Sequence, residues 1–183
     1  MKLAAFRTLA APNEPAVGRI SPDGQSVGPF DLPAAARALG ALPVVEALSR
    51  GEALPPLLRP LALTEVRLVA PLPRPRRNIF CVGKNYHAHA KEFAGSGFDS
   101  SAKSGGDIPS VPIIFSKVPE SVVGPGDAIR IPAAVSTAID YEAELAVIIG
   151  RGGKSIRAVD AQQHVWGYTI VNDITARNWL RRR

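Results

Sequence analysis

Ile139-Asp140-Tyr141-Glu142-Ala143-Glu144-Leu145-Ala146-Val147-Ile148-Ile149-Gly150 is the stretch on which the reading of this chain turns. Its second half is a continuous apolar run closed by glycine, the pattern of a buried strand. Its first half sets carboxylates at alternate positions, Asp140, Glu142 and Glu144. Alternate side chains of a strand share one face and stand ~6.6 Å apart along the backbone. The three acids are therefore expected to point the same way, from the end of a strand whose remainder is core. Like charges so close raise one another's pKa. A cation among them removes that penalty, and carboxylates on a rigid strand suit a hard divalent ion such as Mg²⁺, Mn²⁺ or Ca²⁺. The competing reading is a solvated strand end bearing three surface acids.

The surroundings of this strand set the class of protein. The 183 residues suffice for one sizeable core, or one core and a small appendage. An apolar content of 46% and a charged content of 21% are those of a globular protein. No apolar run approaches the ~20 residues of a membrane span, so no membrane association is expected. Arg7 interrupts the N-terminal apolar stretch before it reaches signal-peptide length. The single cysteine, Cys81, excludes an internal disulfide and fits a reducing, cytoplasmic setting. Much of the formal charge of +6 lies in Arg74/Arg76/Arg77 and Arg181-Arg182-Arg183. With 6% aromatics and no recognition motif, that charge points to small anionic substrates rather than to nucleic acid.

Upstream of the acidic strand, residues 3–8 and 16–30 read as strands, the latter a pair turned at Ser21-Pro22-Asp23-Gly24. Asp31 is an expected helix cap for Ala34–Leu39, and a second helix is expected over Val44–Ser49, stopped by Gly51. Val66–Val69 and Asn78–Val82 read as strands around the Pro/Arg-rich residues 71–77, where a domain boundary falls. Residues 94–112 form a long Gly/Ser/Asp/Pro segment, expected to be either a lid or a disordered surface loop with no role. Pro112–Lys117 and Ala128–Ile131 are expected strands, with a turn at Gly124-Pro125-Gly126-Asp127 between them. Ile156–Val165 reads as a short helix, Trp166–Val171 as a strand, and Thr175 as the start of another helix. The class is α+β with a β-rich core: a small N-terminal domain over 1–70 and a catalytic-type domain over 71–183.

Two chemical motifs fail. Gly153-Lys154-Ser155 resembles the end of a phosphate loop, but the glycine required five residues before the Gly-Lys pair is Ile148, so Gly150–Gly153 reads as a turn. No G-x-S-x-G elbow occurs, and Cys81 sits in an apolar strand as a packing residue. One constellation survives. His89 and Glu92, spaced i, i+3 on an expected helix, share a face, and a carboxylate on one ring nitrogen makes histidine a general base near neutral pH. His87 and His164 are assigned to structure. Asp173 can add a third carboxylate to the metal, and Arg177 can offer a fork to an anionic substrate.

These segments resemble the fumarylacetoacetate hydrolase family. The resemblance rests on Val82-Gly83-Lys84-Asn85-Tyr86 with His89 and Glu92, Pro112-Ile113-Ile114-Phe115-Ser116-Lys117, Gly124-Pro125-Gly126-Asp127, Asp140-Tyr141-Glu142-Ala143-Glu144-Leu145, and Gly167-Tyr168-Thr169-Ile170-Val171-Asn172-Asp173-Ile174-Thr175-Ala176-Arg177. It implies a small N-terminal domain joined to a mixed β-sandwich roll, usually dimeric. It also implies Glu142, Glu144 and Asp173 as ligands of Mg²⁺ (or Mn²⁺ or Ca²⁺), with Asp140 outside that set. His89 and Glu92 become the water-activating pair, and Lys84, Lys117 and Arg177 contacts to the substrate carboxylate or to neighbouring acids. The expected activity is metal-dependent hydrolysis of carbon–carbon bonds in short diketo acids, with decarboxylation of 2-oxo acids or isomerisation of hydroxymuconate-like dienoates as the alternatives. The family pattern continues past Arg177 with a Gly-Lys segment, whereas this chain reads Asn178-Trp179-Leu180-Arg181-Arg182-Arg183. A catalytically incomplete, metal-binding or oligomerising fragment is therefore the expected alternative of another class.

Overall fold

The computed structural model describes residues 1–86, 109–131 and 134–179. They fall into two compact units. The first comprises Met1–Arg77 together with Val118–Asp127 and Val147–Gly167, and the second Asn78–Lys117, Ala128–Ala146 and Tyr168–Arg183. Two segments that the sequence reading places after the boundary thus cluster with the N-terminal part.

The first unit is built on a five-stranded antiparallel sheet of order β4-β3-β2-β1-β5, from β1 (Leu3–Thr8), β2 (Pro15–Ile20), β3 (Ser26–Pro29), β4 (Leu61–Ala62) and β5 (Val66–Val69). The β2–β3 turn is made by its own side chains. Ser21 Oγ donates to Asp23 Oδ1 at 2.5 Å and accepts from the Ser26 N–H at 3.0 Å, while Gly24 takes a φ of +73°. Helices α1 (Ala34–Arg37) and α2 (Leu42–Ser49) follow. Asp31 does not cap α1, whose N-cap position is Pro33; the Asp31 N–H donates to Pro56 O at 2.8 Å, beside the bridge between Phe30 and Leu57. Gly40 turns the chain between the helices with a φ of +63°, and a Cβ there would stand 2.4 Å from Pro71 O. Val17, Phe30, Ala41, Val44 and Val45 form the core, against which Leu3, Ile148 and Trp166 pack. The Gly124–Asp127 turn is pinned by Asp127, whose Oδ2 accepts the Gly124 N–H at 2.7 Å and whose Oδ1 meets Arg67 at 2.5 Å.

In the second unit, β6 (Ile79–Gly83) and β7 (Ile113–Lys117) pair antiparallel, with Cys81 opposite Phe115 and Ile79 opposite Lys117. β8 (Ile139–Asp140) pairs antiparallel with β11 (Thr175–Ala176), setting Asp140 opposite Thr175 and Ile139 opposite Ala176. β9 (Ala143–Ile149) and β10 (Val165–Asn172) form a further pair that passes through both units. Four local expectations change. The acidic stretch is two strands, interrupted at Tyr141 and Glu142. There the Glu142 N–H donates to Asn172 Oδ1 at 3.1 Å and Glu142 O accepts the Asp173 N–H at 2.8 Å, so this residue's backbone serves the Asn172–Asp173 corner. Ala128–Ile131 is irregular. Ala158–His164 is a 3₁₀ helix, entered after the left-handed Ser155 (φ 54°). Thr175 begins β11 and not a helix, because the Arg177 N–H is taken by Ala138 O at 2.8 Å; a 3₁₀ turn, Arg177–Trp179, follows.

His164 Nδ1 lies 2.8 Å from Arg151 O, and the His164 carbonyl accepts the Gly150 N–H at 3.0 Å, closing the glycine-rich turn. Among the described residues no helix is long and apolar enough to cross a membrane.

Candidate active site

Asp140, Glu142, Asp173, Lys117 and Arg177 meet within the second unit, at the corner where β10 gives way to β11. Asn172 ends β10 and anchors Glu142 by its backbone, which brings Glu142 beside Asp173 in the fold although 31 positions separate them in sequence. The Asp173 side chain is 10% exposed, and its ion pair with Lys117 carries the last residue of β7 into the corner. Lys117 is held a second time, donating from Nζ to Ile174 O at 2.7 Å. Asp173 Oδ1 is closed to solvent and accepts no well-formed hydrogen bond, although the Lys117 ammonium lies against it.

Glu142 is gripped at both carboxylate oxygens. Arg177 Nη2 donates to Oε1 at 2.5 Å and Thr175 Oγ1 to Oε2 at 3.2 Å. The same guanidinium donates from Nε to Asp140 Oδ2 at 2.9 Å. Arg177 and Glu142 are well covered, with side chains 13% and 16% exposed, whereas Asp140 is open at 45%. Burial alone would lower the Arg177 pKa, but its bonds to Glu142 and Asp140 outweigh burial and hold it above the ordinary value. The fork expected to greet a substrate is therefore engaged by two carboxylates of its own chain.

Glu144 lies on the half-buried face of β9, and the adjoining Leu145 N–H donates to Tyr86 Oη at 3.3 Å. Cys81 reports the electrostatics of this corner. Burial pushes its thiol pKa up first, the Asp173 carboxylate adds to that, Lys117 opposes it, and Glu144 raises it further. All three charged groups thus act on one point of β6. A thiol held protonated in this way is a poor nucleophile, in keeping with its reading as a packing residue. Lys84 follows β6 with a φ of +52°, a left-handed backbone that non-glycine residues seldom adopt. His89 and Glu92 lie outside the described residues, as does all of the expected lid except residues 109–112.

The sequence reading missed three contributors: Thr175, which holds Glu142; Asn172, which anchors the Glu142 backbone; and the Ile174 carbonyl, which holds Lys117. Their only sequence signal was position within the Asn172–Arg177 run.

As a metal centre, the corner offers oxygen donors only, which suits a hard divalent ion. Among the described residues, no three His, Cys, Asp or Glu side chains already converge around a single point. Two features nonetheless fit a cation. The buried Asp173 Oδ1 meets the Lys117 ammonium without a well-formed hydrogen bond, and the carboxylates of Asp140, Glu142, Glu144 and Asp173 outnumber the cations Lys117 and Arg177 paired with them.

Comparison with known proteins adds an independent line. The model of a family described as fumarylacetoacetate (FAA) hydrolase, C-terminal, matches residues 78–183. The oxaloacetate tautomerase YisK of Bacillus subtilis is 48% identical over 121 residues, which is 66% of this chain and 37% of that protein. The mitochondrial oxaloacetate tautomerase FAHD2A of Homo sapiens is 43% identical over 123 residues, 67% of this chain and 35% of that one. A solved fumarylacetoacetate hydrolase from Exiguobacterium antarcticum superposes with a TM-score of 0.67 at 32% identity, covering 97% of this chain and 58% of the other. A 5-carboxymethyl-2-hydroxymuconate delta-isomerase from Mycobacterium smegmatis gives 0.67 at 28% identity, covering 99% and 58%. The chain spans little more than a third of the length of the curated relatives it matches. The β-rich fold expected from the sequence is the one these structures share.

Proposed function

Because this chain belongs to the fumarylacetoacetate hydrolase family, we propose that it forms part of an enzyme that moves a proton between carbon and oxygen in a short 2-oxo dicarboxylic acid, as an oxaloacetate tautomerase does. The observation that carries the reading is the corner itself: Glu142 and Asp173, each expected to bind metal, are joined by a backbone hydrogen bond, with Lys117 paired to Asp173 and Arg177 shared between Glu142 and Asp140. The names of the two curated relatives support tautomerisation over the hydrolysis expected from sequence.

In such a reaction a C–H bond next to the 2-oxo group breaks, its electron pair forms the carbon–carbon double bond of the enol, the carbonyl π pair moves onto oxygen, and a proton is delivered there; the reverse restores the ketone. Glu142, Glu144 and Asp173 would hold Mg²⁺ or Mn²⁺, which when bound supplies a Lewis acid for the 2-oxo group and a counter-charge for the enolate. The chain's own groups do the rest. His89, with Glu92 as its expected partner, would take the proton from carbon and return it to oxygen. Lys117, fixed by the Ile174 carbonyl and Asp173, presents positive charge to a substrate carboxylate without having to be ordered on binding. Lys84 offers a second cation at the end of β6. A small dianion also suits a chain with an excess of six positive charges.

A second reading is hydrolysis of a carbon–carbon bond in a short diketo acid, in which His89 and Glu92 activate water and the same type of enolate departs. The likeness to the Exiguobacterium antarcticum hydrolase favours it. One assay set separates the two. With Mg²⁺ present, enol-oxaloacetate should lose its ultraviolet absorbance faster than in buffer, with no release of carbon dioxide. Acetylpyruvate under the same conditions should persist. Cleavage of acetylpyruvate without acceleration of the enol decay would replace tautomerase by hydrolase.

A further inference from the structure

The three alternate acids of the opening stretch do not share one role, and Asp140 is the one that the metal reading leaves idle. We infer that Asp140 is a positioning residue for Glu142, acting through Arg177; this inference rests on the metal site proposed above. The β8–β11 ladder sets Asp140 opposite Thr175, two positions before Arg177, so the carboxylate and the guanidinium are brought together by strand register and not by chance surface contact. Arg177 then bridges the two acids, 2.9 Å from Asp140 Oδ2 and 2.5 Å from Glu142 Oε1.

The guanidinium is a rigid planar fork. Nε and Nη2 both lie 2.9 Å from Asp140 Oδ2, and Nη2 is shared with Glu142 Oε1, so fixing the guanidinium on Asp140 also fixes the nitrogen that meets Glu142. Thr175, on the same short strand, takes the opposite oxygen of that carboxylate at 3.2 Å. Glu142 is thereby set at a defined angle before any ligand arrives. The burial order agrees with this division of labour: the anchor Asp140 is half open to water at 45%, while the group it orients and the group that is aimed are covered at 13% and 16%. Asp140 also offsets the charge of Arg177. Without it, one guanidinium would face Glu142 with its full positive charge and oppose a cation there.

The test is a double-mutant cycle read by calorimetric titration of the apo protein with Mg²⁺ and, separately, Mn²⁺, with the melting temperature recorded alongside. Asp140→Asn, which keeps the shape and removes the charge, should weaken binding by about 10- to 100-fold. Asp140→Glu, which keeps the charge, should recover most of that loss. In the Arg177→Gln background, Asp140→Asn should have almost no further effect, because the group it positions is gone. An equal loss in both backgrounds would mean that Asp140 acts on the ion directly, and the inference falls. Unchanged metal affinity with a lowered melting temperature would reduce Asp140 to a staple between β8 and β11, and the inference falls again. Should Asp140→Asn fail to fold, Asp140→Ser completes the same cycle. Absence of Mg²⁺ and Mn²⁺ binding by the unaltered protein would instead overturn the metal site, and the inference with it.

Discussion

At the scale of single residues, Asp140, Glu142 and Asp173 are each paired with a cation, and the partners decide what each of these acids does. Mg²⁺ or Mn²⁺ should raise the melting temperature, since a ligand that binds only the folded state stabilises it. Glu142→Ala and Glu144→Ala should each abolish that rise; a full rise in both variants would remove these glutamates from the metal site. In the protein that carries activity, His89→Ala should lower turnover about 10²–10⁴-fold and leave metal affinity intact, with His87→Ala as a mild control. Cys81 should alkylate far more slowly in the native protein at neutral pH than in urea, because burial and the Asp173 carboxylate keep its thiol protonated. Equal rates would place Cys81 in an open, unperturbed setting. Which residue types the corner contains was readable from the chain, because Glu142, Glu144, Asp173, Lys117 and Arg177 sit in motifs. Who holds whom was not: Arg177 reads equally well as a substrate fork, and only the β8–β11 register shows it turned onto Asp140 and Glu142.

At the scale of elements, legibility follows sequence distance. The β2–β3 hairpin was readable because every bond in its turn lies within six residues, from Ser21 to Ser26. The capping role expected of Asp31 failed, the N-cap position falling two residues later at Pro33, and the Asp31 backbone is instead held by Pro56, whose proximity nothing local announces. The acidic strand failed at Tyr141–Glu142 for the same reason, since Asn172 lies 30 positions away. Gly40 offers a test of how tightly such elements are joined. Its φ of +63° and the 2.4 Å that would separate an added methyl group from Pro71 O mean that Gly40→Ala combines backbone strain with a steric clash against main chain. Together these should cost roughly 1–3 kcal/mol or more in denaturant unfolding. A loss below ~0.5 kcal/mol would show that this turn yields freely, as surface positions do.

At the scale of the whole molecule, the two units are unlike in how they treat apolar side chains. Among the described residues, the fully buried apolar ones, from Ala4 to Ala70, all belong to the first unit. In the second, Phe80, Ile114, Leu145 and Ile170 stand exposed on strands. Strand faces of this kind are covered in stable proteins, and long uncovered ones promote association. We therefore expect the chain to self-associate, with a homodimer as the first species. Light scattering during gel filtration should give at least twice the monomer mass at micromolar concentration. A strict monomer across that range, with the exposed strands intact by hydrogen exchange, would contradict this expectation.

One consequence of β9 concerns how this sequence can change length over time. Along that strand, Glu144, Ala146 and Ile148 lie on the half-buried face, and Leu145, Val147 and Ile149 on the exposed one. Chemistry and surface apolarity therefore alternate residue by residue on a single ribbon. Losing one codon between Glu142 and Ile149 would exchange the two sets at a stroke, turning a glutamate outward and a leucine inward. Losing two would keep the faces and shorten only the span. Surviving length variants of this segment should accordingly differ by even numbers of residues, a parity rule that a library of one- and two-codon deletions, sorted for folded protein, can check directly.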